Sequence, residues 1–243
     1  MSSADIRGMF AGLPGAHGII EAALNGQGRV MTDDSAHPSS AAVLAGDFLF
    51  FGGEPSEELV RRALNAENRA WIVQGSNAFL ALVQAQRSGT WSERIAFDPC
   101  RQPEDAHLTA LLANLPQGVT LVPIGAAEMA FCRKTPWAAD FVNQFTEDEY
   151  ARNGLGVLVC ADGAFVSGAS SYAAYPGGIE VEVDTAPAHR GHGYATLAAA
   201  KLILTAHQQG KIATWDAANE TSAHIAQKLG YRVTYAYQVF TTA

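Results

Sequence analysis

Ile179-Glu-Val-Glu-Val-Asp-Thr-Ala-Pro-Ala-His-Arg-Gly-His-Gly-Tyr-Ala-Thr196 is the stretch whose reading decides the fold. Residues 177–185 read as a strand, and 189–210 as a loop feeding a long helix. The strand therefore runs through a glycine-bearing loop into the first turn of the helix. Gly191 and Gly193 lack a β-carbon, so the main chain there can approach a ligand or adopt φ > 0. The helix start behind them offers unpaired N–H groups and the positive end of the macrodipole, and both attract phosphate. Arg190 adds a permanent positive charge. The segment reads as a diphosphate cradle, although glycine-rich turns of this kind also occur for structural reasons alone.

Two other phosphate-binding classes are excluded by the residues that follow. A Walker-type loop needs Lys-Ser/Thr after its last glycine, and Tyr194-Ala195-Thr196 stands there instead. A dinucleotide fingerprint needs a third glycine where Thr196 lies, and it belongs at the first strand–helix turn of a domain.

Outward from this loop the chain alternates. Downstream, 211–217 reads as a strand, 219–230 as a helix stopped by Gly230, and 231–240 as a closing strand. Upstream, 156–175 reads as a hairpin turning at Ala161-Asp162-Gly163, preceded by a helix opened by Pro136 and running to Phe145. A right-handed βαβ unit with parallel strands is expected around the long helix. The first half also alternates: a strand at 41–53, a helix capped by Ser56, a strand at 69–75, a helix at 103–114 and a strand at 119–125. It contains no recognisable chemical motif.

Composition narrows the function. The 243 residues are 48% hydrophobic and 16% charged, enough for a well-buried core in one large or two small domains. Net charge is −8, with 13 acids and 8 bases up to residue 125 and 11 acids and 8 bases after it. Neither half carries a basic footprint, so nucleic acid and anionic membranes are not expected partners. The N-terminal stretch lacks an export signal, and no apolar run reaches the roughly 20 residues that span a bilayer. A cytoplasmic location is expected. Cys100, Cys132 and Cys160 are odd in number and far apart, which argues against disulfides and metal sites alike.

The residues resemble a known family. Arg190-Gly-His-Gly193-Tyr-Ala195 fits the Arg/Gln-x-x-Gly-x-Gly/Ala signature of the GNAT acetyltransferases. The strand IEVEVDT, the loop APAHRGHGYAT and the segment WDAANETSAHIAQKLGY at 215–231 are together similar to the zwittermicin-resistance-type subfamily. The likeness covers about 128–243, and 1–127 is faintly similar to that subfamily's divergent N-terminal domain. It implies an α/β (α+β) GNAT fold, with a mixed, twisted sheet covered by helices on both faces. A catalytic domain at 128–243 would follow a smaller α/β domain at 1–127.

The resemblance also implies acetyl-CoA as cofactor, a small-molecule primary amine as acceptor and direct attack in a ternary complex, and it leaves homodimerisation open. Main-chain groups of Val183 and Thr185 would pair with the pantetheine amides on a splayed strand. The N–H groups of Arg190, Gly191, His192, Gly193, Tyr194 and Ala195 would take the pyrophosphate. Asn219 and Ser222 would approach the cofactor, although Asn219 is also a good helix N-cap and Ser222 a plain surface serine. Many family members use a glutamate on the strand before the loop as base, which nominates Glu180 and Glu182; solvated edge charges are the alternative. The family's tyrosine acid falls at Ala226, so Tyr194, Tyr231, Tyr235 and Tyr237 stand unranked for that role. The vacancy leaves open a non-catalytic acyl-CoA sensor with the same fold.

Overall fold

The computed structural model describes residues 3–34 and 36–243, so the first two residues of the N-terminal stretch read above lie outside it. The chain divides into two compact units, one formed by residues up to 94 together with 236–243, the other by 95–235. The sequence reading placed its division at 127/128. The difference arises from pairing: residues 119–123 add a strand to the second unit's sheet, and the last residues of the chain pair inside the first.

The first unit contains α1 (Ser3–Met9), α2 (His17–Leu24), β1 (Arg29–Thr32), β2 (Ser40–Ala45), β3 (Phe48–Gly53), α3 (Glu57–Leu64), β4 (Ile72–Gln74) and α4 (Asn77–Gln86). The run read as one strand at 41–53 is a hairpin, because Gly46 takes φ +56° and reverses the chain into antiparallel pairing of β2 with β3. Its apolar strands lie over α3, whose cap is Ser56 Oγ accepting from Leu59 N at 3.2 Å. Trp71, Leu59, Phe51 and Phe79 form the fully buried centre of this core.

β5 (Gly89–Phe97) leads into the second unit. There follow α5 (Asp105–Leu112), β6 (Val119–Pro123), α6 (Ala126–Lys134), a 3-10 helix at Pro136–Phe141, α7 (Glu147–Asn153), β7 (Gly156–Ala161), β8 (Ala164–Tyr175) and β9 (Gly178–Thr185). A 3-10 turn (Pro187–His189), α8 (Tyr194–Gln208), β10 (Ile212–Thr214), β11 (Asp216–Ala217), α9 (Glu220–Leu229) and β12 (Val233–Thr242) complete the chain. The helix expected from Pro136 to Phe145 is thus a 3-10 segment preceded by α6.

The five-stranded sheet runs β10-β9-β8-β7-β6, antiparallel except for β9 and β10, which are parallel as the βαβ pattern requires. Strand alternation buries both faces of β7. Val157 and Val159 join the core under α8, whereas Leu158 joins the core under α6 and the 3-10 segment. Helices therefore cover both faces of a mixed sheet, as the family resemblance implied. α8 lies close on its sheet because it presents Ala198, Ala199 and Ala206; Leu202 and Ile203, at most 1% exposed, each add about 2 kcal/mol of burial. No helix among the described residues is long and apolar enough to cross a membrane.

Candidate active site at the splayed strand

The pairing of β9 with β10 lasts three residues: Ile212 opposite Gly178, Ala213 opposite Ile179, and Thr214 opposite Glu180. Past Thr214 the chain turns away at Trp215, and Asp216 and Ala217 pair with Ala96 and Ile95 of β5. One edge of β9 is therefore open from Val181 onward, while β8 holds the other edge through to Ser167 opposite Thr185. Alternate residues of an antiparallel strand turn their N–H groups to opposite sides. On the open side the Val183 N–H donates to Glu182 Oε1 at 3.1 Å, and the Thr185 N–H to Asp184 Oδ1 at 2.6 Å. Two carboxylates of the strand itself thus occupy its edge donors.

Beyond β9 the main chain bends through Gly191 (φ +82°) and Gly193 (φ +78°) into α8. A β-carbon at either glycine would meet nothing within 4 Å, so backbone conformation, and not crowding, demands glycine there. The first donors used inside α8 are the N–H groups of Thr196 and Leu197, both to Gly193 O, which leaves those of Tyr194 and Ala195 as the helix's unpaired first-turn donors. Arg190 folds back, with Nε donating to Thr185 O at 3.3 Å and Nη2 3.6 Å from Asp184 Oδ1. His192 Nδ1 lies 3.1 and 3.0 Å from the carbonyls of His189 and Arg190; both are acceptors, so that nitrogen carries the proton. Its ring stacks on Tyr194, centroids 5.4 Å apart.

These features border one cavity of about 480 Å³ lying wholly within the second unit. All ten residues nominated for the cofactor line it: Val183 and Thr185 on the strand, Arg190 to Ala195 in the loop, and Asn219 and Ser222 beyond. Asn219 Oδ1 caps α9 by accepting from Ser222 N at 3.0 Å. Ser222 Oγ accepts from the buried Trp215 Nε1 at 3.1 Å, so its own hydroxyl hydrogen is the group left to donate. Thr221, Ile225 and Lys228 also line the cavity and were missed in the sequence. Their 0, 4, 7 spacing from a capped helix was the available signal. In a chain of net charge −8, Asp184 is the one acid in the wall among the described residues, against Arg190 and Lys228.

Glu180 and Glu182 are on the same strand but outside this wall. Glu180 is 5% exposed and accepts from Thr214 Oγ1 at 2.5 Å, at the point where the strands part. Burial, then the nearby Glu180 and Tyr175, push the Tyr231 hydroxyl well above its usual pKa, and it donates to Ala213 O at 2.7 Å. Of the other tyrosines, Tyr194 lines the cavity, Tyr235 is half exposed and Tyr237 belongs to the first unit. Ala226 is wholly buried in the core, so no side chain donates a proton from that position. Cys132, Cys100 and Cys160 are free thiols, and burial raises Cys132 to about 12. Among the described residues no group of three or more His, Cys, Asp or Glu side chains is placed to hold a metal ion.

A strand that parts from its parallel neighbour beside an electropositive helix mouth is the arrangement that the sequence resemblance led us to expect. The family profile described as GNAT acetyltransferase matches residues 9–240. The chain belongs to the GNAT acetyltransferase family. A GCN5-related N-acetyltransferase-like protein from Streptococcus suis is 32% identical, with a TM-score of 0.89, covering 99% of this GNAT chain and 98% of that one. Two others share the fold at lower identity. A GCN5-related N-acetyltransferase from Kribbella flavida is 20% identical (TM-score 0.58; 98% and 95% covered). A tandem GNAT protein from the clavulanic acid biosynthesis pathway is 15% identical (TM-score 0.55; 91% and 86% covered). The curated proteins gave no match.

Proposed function

We propose that this GNAT protein moves an acetyl group from acetyl-CoA to a primary amine of a small molecule, by direct attack in a ternary complex. The observation that carries the reading is the open edge of β9 running into the α8 mouth along one cavity. The residues present fit the cofactor. The free N–H groups of Tyr194 and Ala195, with Arg190 and Lys228, suit a diphosphate, and an edge bearing N–H groups at Val183 and Thr185 suits a chain of amides. The volume is in the range of small-molecule sites. The likeness at 179–231 further supports placement in the zwittermicin-resistance-type subfamily.

The cofactor supplies an activated thioester; the rest falls to the protein. Occupation of the edge requires the Glu182 and Asp184 carboxylates to leave the Val183 and Thr185 N–H groups, which then donate to the ligand's amide carbonyls. An alkyl amine has a pKa near 10, so a base must take its proton. Glu180, fixed by Thr214, and Glu182, released from the edge, supply that base directly or through water. Holding the two reactants together contributes the remainder.

Titration calorimetry with acetyl-CoA tests the cofactor assignment, and absence of binding removes it. A second reading, an acyl-CoA sensor, is favoured by one observation, the buried Ala226 where the family's acid stands. Thiol release across an amine panel separates the two, since a sensor binds without turnover.

A further inference from the structure

The first unit contains a cavity of its own, of about 490 Å³, unrelated to the cofactor site. Leu13, Pro14 and Leu80 give it apolar walls, and Trp91 and Tyr237 give it aromatic ones. Trp91 is 47% exposed, yet it is held in place, edge-on to Phe240 with ring centroids 5.3 Å apart. An exposed tryptophan locked by a core ring offers a rigid stacking surface at little entropic cost.

The polar lining is made of amides. Gln74, only 5% exposed, donates from Nε2 to Pro14 O at 2.9 Å. Because that partner is a carbonyl, the amide orientation is fixed, and Oε1 remains as the side chain's acceptor beside the second Nε2 hydrogen. Asn77 and Gln238 complete the polar part, Gln238 donating from Nε2 to Glu93 at 3.3 Å, and among the described residues no Asp, Glu, Lys, Arg or His lines the cavity. A wall without charge disfavours ions, a flat ring surface favours a planar ring, and a fixed acceptor favours an N–H.

We propose that this cavity binds an uncharged planar aromatic molecule that donates an N–H to Gln74 Oε1, its ring against Trp91. The proposal does not rest on acetyl transfer, and it stands if the cofactor reading fails. Indole and 1-methylindole are the probes, titrated into the full chain at millimolar concentrations and followed by protein NMR. Indole should bind saturably, moving the Trp91 Nε1–H signal and the amides of Gln74 and Leu80. 1-Methylindole should bind roughly tenfold more weakly, the loss expected when a buried acceptor is left without its donor. Gln74→Leu should bring the two probes level, with circular dichroism reporting that the variant is folded. Should that variant not fold, the two-probe comparison on the unaltered chain decides alone. No saturable binding of indole, equal affinities for the two probes, or shifts confined to residues elsewhere each overturn the proposal.

Discussion

Replacing Glu182 by alanine removes the acceptor that sits on the Val183 N–H, and the cofactor reading gives this change two effects of opposite sign. In the free protein the carboxylate accepts that N–H at 3.1 Å, so a ligand carbonyl must compete with it. A hydrogen bond to a charged group is worth about 1.5–3 kcal/mol, but this edge is open, and water takes the place of the missing carboxylate. A net gain of about 1 kcal/mol is left for the ligand, roughly a fivefold fall in the Kd of coenzyme A. Glu182→Gln keeps an uncharged acceptor on the same N–H, so about half of that gain, near twofold, is expected. If Glu182 also takes the amine proton, kcat falls in both variants while cofactor binding tightens. Calorimetry with coenzyme A at physiological salt measures the first effect, and thiol release the second. Equal gains in both variants that disappear in high salt would mean simple repulsion of the phosphates, because screening acts on charge and leaves a directional bond in place. Unchanged or weaker binding by the alanine variant refutes the competition outright.

Three further outcomes follow from individual residues. Gly193→Val forces a β-branched residue to φ +78° at the mouth of α8 and should abolish coenzyme A binding for about 1–2 kcal/mol of stability; retained binding would misplace the diphosphate. Asn219→Asp keeps the cap on Ser222 N but removes the amide donor and adds a second acid to the cavity wall, so the melting temperature should hold while coenzyme A affinity drops about tenfold. Near Asp33, partial burial works to raise the carboxyl, but the Ser39 hydroxyl and the backbone N–H groups of Ser40 and Asp34 prevail and bring it down to about 2. A depressed folded pKa gives stability present above pH 4 and lost as pH falls toward 2. The exposed site limits it to about 1 kcal/mol, and urea unfolding of Asp33→Asn should differ from the unaltered chain at pH 7 and converge with it below about pH 2.

What the sequence displayed and what it hid divide along a physical line. The strand at 177–185, the loop, α8 and the capped α9 were legible because each is set locally, by alternation, by glycines needing positive φ, and by Asn219 and Gly230 at the ends of one helix. The loop from Arg190 to Gly193 shares that legibility, whereas the nomination of Val183, Thr185, Asn219 and Ser222 came from the family resemblance. Features set by distant pairing were hidden. Residues 211–217 read as one strand because nothing local announces that Trp215 turns away and that Asp216 and Ala217 find Ala96 and Ile95, more than 100 residues earlier. The hairpin at 40–53 was hidden for a different reason: its apolar run is continuous across Gly46, and periodicity alone does not show where a buried strand reverses.

The hidden pairing is also the one that makes the site. If β10 had continued alongside β9 past Thr214, the Val183 and Thr185 N–H groups would be consumed in an ordinary parallel ladder, and no edge would face the α8 mouth. The chain is held aside by the buried Trp215, packed on Tyr231 and donating to Ser222, together with the pairing of Asp216 and Ala217 on β5, so the open edge depends on contacts outside the sheet that β9 belongs to. An unpaired strand edge is a hazard in its own right, since its donors seek any acceptor that reaches them. Here Glu182 and Asp184 fill that role from the strand's own side chains. Their negative charge keeps the edge from pairing with another chain and, by the same position, sets the threshold that an incoming amide ligand has to overcome. The acids of IEVEVDT are therefore tied to the splay itself, whichever of Glu180 and Glu182 takes the proton.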